Sequence, residues 1–223
     1  LSVFSIGSFF HPKRKSYTFN SSLITHYTQA STMNDLFTFG PFPQLQTERL
    51  TLREITWRDV GNLYTLFSDP MVTRYNDVHT FQSWVEAETL FHFLQERYRK
   101  RAGLRWAITL KTDAQTTLIG TCGYNTWNRN NNCGEIGYDL LQRYWGQGFM
   151  PEAVTEIVRF GFTRMQLNRV EADIMVPNDA SARVLTKVGF TEEGTLRQRG
   201  YWKGEYHDLR FFSLLRQEFN MAE

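Results

Sequence analysis

Only two cysteines, Cys122 and Cys133, occur in the 223 residues. They form no CxxC and have no histidine pair nearby, which disfavours both a disulfide framework and a structural zinc site. No apolar run approaches the ~18 residues of a membrane span. An excess of one charge sign is also missing: Lys+Arg 25 against Asp+Glu 23 leaves +2. That is too mild to mark a nucleic-acid binder, and no direct nucleic-acid partner is expected. What is present is an ordinary globular composition, 41% hydrophobic and 22% charged, with a generous 15% of aromatics. At ~150 residues per domain, one or two domains are expected.

Residues 1–32 contain no Asp or Glu, and their only formal charges are Lys13, Arg14 and Lys15. The apolar stretch precedes the basic cluster, the reverse of a secretory signal. This segment reads as a non-globular leader, tag-derived or from upstream translation, with Met33 as the natural start; an acid-poor, Ser-rich organellar leader is the alternative. Without it, 22 basic and 23 acidic residues remain. Gly40, Pro41 and Pro43 make residues 33–46 an entering arm. Residues 47–219 form the domain, and 220–223 a tail.

Alternating Leu50 and Leu52 mark a first strand, and Thr56 can cap a helix running to Phe67 before Asp69-Pro70. A second helix begins near Thr80 and ends with the basic turn Arg97 to Arg101, read as its solvated end. Strands follow at Arg105 to Leu110, Thr117 to Trp127 and Glu135 to Leu141. A helix opens at Pro151, where proline suits the first helical position. Then come a strand at Val170 to Val176, a helix from Asp179 to Val188 closed by Gly189, and a strand from Tyr206 to Leu215. The pattern is one mixed α/β domain.

The most informative run is Gln142-Arg143-Tyr144-Trp145-Gly146-Gln147-Gly148-Phe149-Met150-Pro151, in which a strand ends, a loop turns and a helix begins. Two glycines spaced by one residue let successive N–H groups converge, and the helix N-terminus adds partial positive charge. Such a cradle suits a phosphate or pyrophosphate, with Arg143 as a charge partner. A plain glycine-rich strand-to-helix turn is the bland alternative. The run has neither the Lys-[Ser/Thr] ending of a P-loop nor a GxGxxG spacing.

Arg143 to Gly148 fits the [Gln/Arg]-x-x-Gly-x-[Gly/Ala] signature, and the chain resembles the GNAT superfamily of acetyl-CoA-dependent N-acetyltransferases. The closer resemblance is to the Rim-type ribosomal-protein alanine N-acetyltransferases, through Thr47-Glu48-Arg49-Leu50 with Leu52-Arg53, Gly134-Glu135-Ile136-Gly137-Tyr138 and Tyr144 to Gly148. Asn178-x-x-Ser181, Lys187 to Phe190 with Glu193-Gly194, and Asp208 continue the pattern in order. The resemblance implies an α+β GNAT fold, with a mainly antiparallel central sheet, two splayed strands and flanking helices. Acetyl-CoA would lie in the splay, its pantetheine on the strand at Leu140 and Leu141 and its pyrophosphate on the amides from Arg143 to Phe149. The cofactor-binding set so implied is Leu140, Leu141, Arg143, Gly146, Gln147, Gly148, Phe149, Asn178 and Ser181, with no metal. Gly137 inside an apolar strand suits a bulge or a close approach.

The chemistry implied is direct attack of an amine on the thioester. Glu135 and Asp173, one on each splayed strand, are the candidate bases, with solvated or ion-paired strand residues as the alternative. Ser181 is the candidate acid toward the thiolate, although Asn178 and Asp179 also suit a helix cap. Tyr138, through its N–H, and Tyr201 are candidate substrate contacts. Two departures stand out: Leu185 occupies the position of a tyrosine acid in many relatives, and Gly200 that of a RimL-type base glutamate. The expected acceptor is a protein N-terminal α-amine, a ribosomal protein first. A small-molecule amine (polyamine, aminoglycoside or amino-acid derivative) and a non-catalytic acyl-CoA-binding module are the rivals. A cytoplasmic enzyme is expected, and a homodimer is compatible with it.

Overall fold

Period-two burial builds the sheet that organises the molecule. The computed structural model describes residues 41–220 and the two-residue strand Ser2–Val3 (β1). Apart from Ser2–Val3, the expected leader lies outside the described residues, as do the first part of the arm and the tail beyond 220. Strands β2 (Leu45–Gln46), β3 (Leu50–Glu54), β4 (Leu104–Leu110), β5 (Gly120–Asn128), β6 (Cys133–Leu140), β7 (Arg169–Met175), β8 (Thr191–Trp202) and β9 (Glu205–Leu215) share one sheet. Their order is β2-β3-β4-β5-β6-β7-β9-β8, with β1 paired to β6. Helices α1 (Val60–Phe67), α2 (Pro70–Thr73) and α3 (Trp84–Arg99) join β3 to β4, α4 (Phe149–Thr163) follows β6, and α5 (Asp179–Val188) follows β7.

Alternation puts one core on each face. Trp106, Ile136, Tyr138, Val154, Val158 and Leu185 pack on the side of α4 and α5. Leu63, Leu66, Phe67, Leu90 and Ala107 pack on the side of α1 and α3. On that second side, a buried ion pair ties strands together: Arg105 Nη2 reaches Asp139 at 2.6 Å, and Asn76 Nδ2 donates to the same carboxylate at 3.0 Å. Such a pair, 4% and 0% exposed, survives burial only because hydrogen bonds also satisfy it.

Among the described residues the one parallel pair, β6–β7, is short. It runs through Cys133↔Arg169, Gly134↔Val170 and Glu135↔Glu171, and stops. Beyond it β6 continues to Leu140 and β7 to Met175, which remains paired to β9 on its other side. The two strands therefore splay. The exposed edge of β6 accepts an extended backbone, since Val3 pairs with Tyr138 and Ser2 with Asp139.

Three local features differ from the sequence-based expectations. Helix α4 starts at Phe149 rather than Pro151, because Gly148 is its N-cap with φ +81. The bulge lies on β5, where Asn125 is the extra residue between Tyr124↔Ile136 and Thr126↔Glu135, while Gly137 pairs regularly with Gly123. Finally, Thr191–Trp202 is a strand that its polar sequence does not announce: Thr191 to Arg199 are all exposed, so neither face carries an apolar period.

Candidate active site

The glycine loop opens a cleft of about 280 Å³ between the N-terminus of α4 and helix α5. Leu140, Tyr144, Gly146, Gly148 and Phe149 line it from one side, and Arg183 and Lys187 from the other. Gly146 and Gly148 both hold positive φ, +74 and +81, which turns the loop amides toward the cleft. An amide cradle, a helix N-terminus and two cations suit a diphosphate. Arg183 and Lys187 stand at i and i+4 on α5, so one helix face presents both. Sequence reasoning missed this pair, although the spacing after the Asn178 cap was there to be read.

The loop is braced from outside the cleft. Arg49 Nη1 donates to the Gln147 carbonyl at 2.9 Å, its guanidinium sits 4.5 Å from the Phe149 ring centroid, and Nη2 pairs with Glu152 at 2.7 Å. Glu152 also accepts from the Arg49 amide at 2.8 Å and from the Thr47 hydroxyl. Burial alone would raise the Glu152 pKa, yet these donors hold it below the usual carboxylate range. Its stabilisation is therefore present above that range and fades as pH falls through it. Glu152→Ala should lower the unfolding free energy in urea by about 1–2 kcal/mol and weaken CoA binding with it.

On the opposite side of the splay, strand register gathers carboxylates. Glu135 and Glu171 are directly paired, and Asp173 lies two residues on, so all three share the face away from α4. Burial and the charge of Asp173 push the Glu135 carboxyl up to about 7, although the Asn125 side chain favours its charged form. Asp173 is also raised, by burial, against the opposing field of Arg199. Asp77, from the segment between α2 and α3, and Arg97, from α3, also act on Glu135. Arg97 is turned inward, donating to the Asn125 and Ala102 carbonyls, rather than ending a solvated helix turn.

The other expected site residues divide clearly. Leu140 lines the cleft, and its carbonyl accepts from Trp145 Nε1 at 2.7 Å. Leu141 is turned away: its amide donates to the Ile119 carbonyl at 3.0 Å, and its side chain is buried in the core beneath α1 and α3. By alternation, the amides of Leu140 and Tyr138 face the splayed edge. The Tyr138 ring is fully buried and its hydroxyl donates to the Ser181 carbonyl at 3.2 Å, so only its backbone faces the splay. Ser181 is fully buried in the first turn of α5, where its amide donates to Asn178, the helix cap. Arg143 is exposed and stacks over Tyr144, while Gln147 Nε2 donates to the Arg143 carbonyl at 2.8 Å. Tyr201 stands 52% exposed on the β8–β9 hairpin, its ring centroid 4.7 Å from that of Tyr206. That hairpin reaches α2 through a 2.7 Å bond from Lys203 Nζ to the Thr73 carbonyl. Leu185 is buried in the core, and a Cβ at Gly200 would meet the Trp202 ring, so neither position offers an acid or base.

A splayed sheet with a glycine-lined cleft on one face and a raised carboxyl on the other fits an acyl-CoA-dependent transferase. The comparisons make the family specific. Residues 49–191 match the model of the acetyltransferase (GNAT) domain, and the chain belongs to that family. It is 37% identical to the N-acetyltransferase p20 of Bacillus licheniformis over 175 residues, 78% of this chain and 97% of that one. Its fold is similar to RimL, a ribosomal L7/L12 α-N-protein acetyltransferase solved with coenzyme A (TM-score 0.68, 23% identity, 78% of this chain and 97% of that one). It is also similar to spermidine N-acetyltransferase from Vibrio cholerae, solved with CoA and spermine (TM-score 0.65, 23% identity, 76% and 96%). The chain is an N-acetyltransferase. Among the described residues no cluster of three or more His, Cys, Asp or Glu is arranged for a metal ion, and no helix is long and apolar enough to cross a membrane.

Proposed function

We propose that this enzyme acetylates a protein N-terminal α-amine, with acetyl-CoA as donor, Glu135 as general base and the Tyr138 amide as oxyanion donor. The observation that carries the reading is geometric: Glu135 lies at the splay, paired with Glu171 and sharing a face with Asp173, and burial with the Asp173 charge pushes its carboxyl up to about 7. An α-ammonium titrates near 7.7–8.0, so its proton passes to this base at a cost of about 1 kcal/mol. A side-chain or polyamine ammonium near 10.4 would cost about 4–5 kcal/mol for the same transfer. The base is thus matched to an α-amine. RimL, which shares the fold, is a ribosomal-protein α-N-acetyltransferase, and a ribosomal protein in the cytoplasm is the acceptor proposed for this chain.

Once Glu135 has taken a proton, the nitrogen attacks the thioester carbonyl. The carbon–nitrogen bond forms, charge develops on oxygen against the backbone N–H, and the carbon–sulfur bond breaks; the second proton, shed by the nitrogen as it becomes an amide, balances the proton that converts the departing thiolate to CoA. In this reading the donor lies in the cleft on the α4–α5 face and the acceptor approaches Glu135 from the carboxylate face.

One observation favours a second reading. Glu135, Glu171, Asp173 and Asp77 place four carboxylates within electrostatic reach of one another, a field that would also draw a polyamine. Thiol release from acetyl-CoA, followed with peptides beginning in Ala or Ser and with spermidine, separates the two. Peptide turnover exceeding spermidine turnover at pH 7.5 is expected; the reverse order assigns the enzyme to polyamines, and no turnover with any amine leaves the acyl-CoA-binding module.

A further inference from the structure

The bulge on β5 has a chemical consequence. Asn125 is skipped by the β5–β6 pairing, next to the Thr126↔Glu135 pair, and only 8% of it is exposed. Its Oδ1 accepts from Arg105 Nη1 at 3.0 Å. Arg105 is itself fixed on every side, with Nε on Thr121 Oγ1 at 3.1 Å and Nη2 on Asp139 at 2.6 Å. A guanidinium only donates, so the carboxamide has no freedom to flip: oxygen must face Arg105, and Nδ2 must face away from it. Nδ2 is buried without a hydrogen-bond partner of its own, on the sheet face that Arg105, Asp139 and Glu135 share, and the Asn125 side chain favours the charged form of the Glu135 carboxyl.

We infer that Asn125 is a positioning residue, a donor held ready for the Glu135 carboxylate by the Asp139–Arg105 pair behind it. The inference rests on Glu135 being the base. A buried N–H without an acceptor costs free energy, and the charged carboxylate supplies the acceptor that the protonated acid supplies less well. Deprotonation of Glu135 therefore closes the bond, and the Asp139–Arg105–Asn125–Glu135 chain then orients the base toward the splay. The ion pair below the sheet thereby acquires a role at the site, through one amide. The other groups acting on Glu135 are Asp173 and Glu171 on β7, Asp77 before α3, Arg97 on α3 and, on its own strand, Cys133. None of these is bonded to the Asn125 side chain; Arg97 donates to its backbone carbonyl, which substitution retains.

The test uses the full chain, without acceptor or donor, by carbon-detected NMR of labelled Glu side chains, with Glu135→Gln identifying the signal. In Asn125→Ala the Glu135 titration midpoint should rise by roughly one pH unit, and in Asn125→Asp by more, because a second carboxylate then faces it. The wild type gives an independent reading that needs no folded core variant: the Asn125 side-chain amide resonances should shift with pH at the Glu135 midpoint, and that shift should vanish in Glu135→Gln. An unmoved midpoint in folded variants, or an Asn125 amide blind to the Glu135 titration, overturns the inference while leaving the base intact. If instead Glu135→Gln turns over like the wild type, the base assignment itself fails, whatever Asn125 does.

Discussion

Glu135→Gln should cut turnover by roughly 10²–10⁴-fold while leaving CoA affinity unchanged, because the carboxyl and the anion cradle lie on opposite sides of the splay. Glutamine keeps the size and polarity of the side chain and removes only its ability to take a proton. In the wild type the base is competent when deprotonated, so kcat/KM should rise with pH through about 7 and level off above it. The variant should lose that rise. Stability should move the other way. A carboxyl whose folded pKa is raised from 4.5 to about 7 holds its proton in the folded chain after the unfolded chain has lost it. Wild-type stability therefore falls as pH rises across that window, by the linkage relation. Above pH 7, Glu135→Gln should be more stable than the wild type by roughly 1–3 kcal/mol in urea denaturation. A slower but sturdier enzyme is the signature of a group kept for chemistry at a cost in stability. Equal turnover at all pH values would falsify the assignment.

The same residue shows how far the sequence could be read. Its strand, its partner strand and the glycine loop follow from alternation, a turn signal and a helix start, and the family pattern orders them. Asp173 shares a face with Glu135 only through the three-pair register of β6–β7, which no local pattern encodes. The extra residue at Asn125 is equally silent in sequence, since Tyr-Asn-Thr reads as ordinary strand and its meaning comes from the partner it skips. Arg97 looks like any basic helix end until the β5 bulge offers it a carbonyl. Strand β8 escapes because an exposed edge needs no hydrophobic period; it is held by pairing to β9 and by ion pairs such as Arg210–Glu192 at 2.7 Å. Tyr138 illustrates the converse. Its side chain belongs to the core and its backbone to the site, and a residue name cannot say which half is functional.

Gly148→Val should abolish measurable CoA binding, a loss of at least ~100-fold or about 2.7 kcal/mol in calorimetry. Two effects combine. The N-cap holds φ +81, a conformation in which a β-branched residue is strained by about 1–3 kcal/mol. A Cβ there would also stand 3.3 Å from Arg49 Nη2, the guanidinium that pins the Gln147 carbonyl and pairs with Glu152. Relaxing either contact rotates the loop amides out of convergence, and it is their convergence that binds an anion. Gly146→Val, at φ +74 with no atom within 4 Å of its Cβ, isolates the backbone effect from the contact and should weaken binding by a smaller factor. Gly204 supplies the control: it has φ +83 and open space, but sits in the β8–β9 turn away from the cleft. Gly204→Val should lower the melting temperature as much as Gly146→Val does and leave CoA affinity where it was. If all three variants lose stability alike and bind CoA alike, the positive φ values serve the fold alone, and the diphosphate must be held by Arg143, Arg183 and Lys187 without the amide cradle.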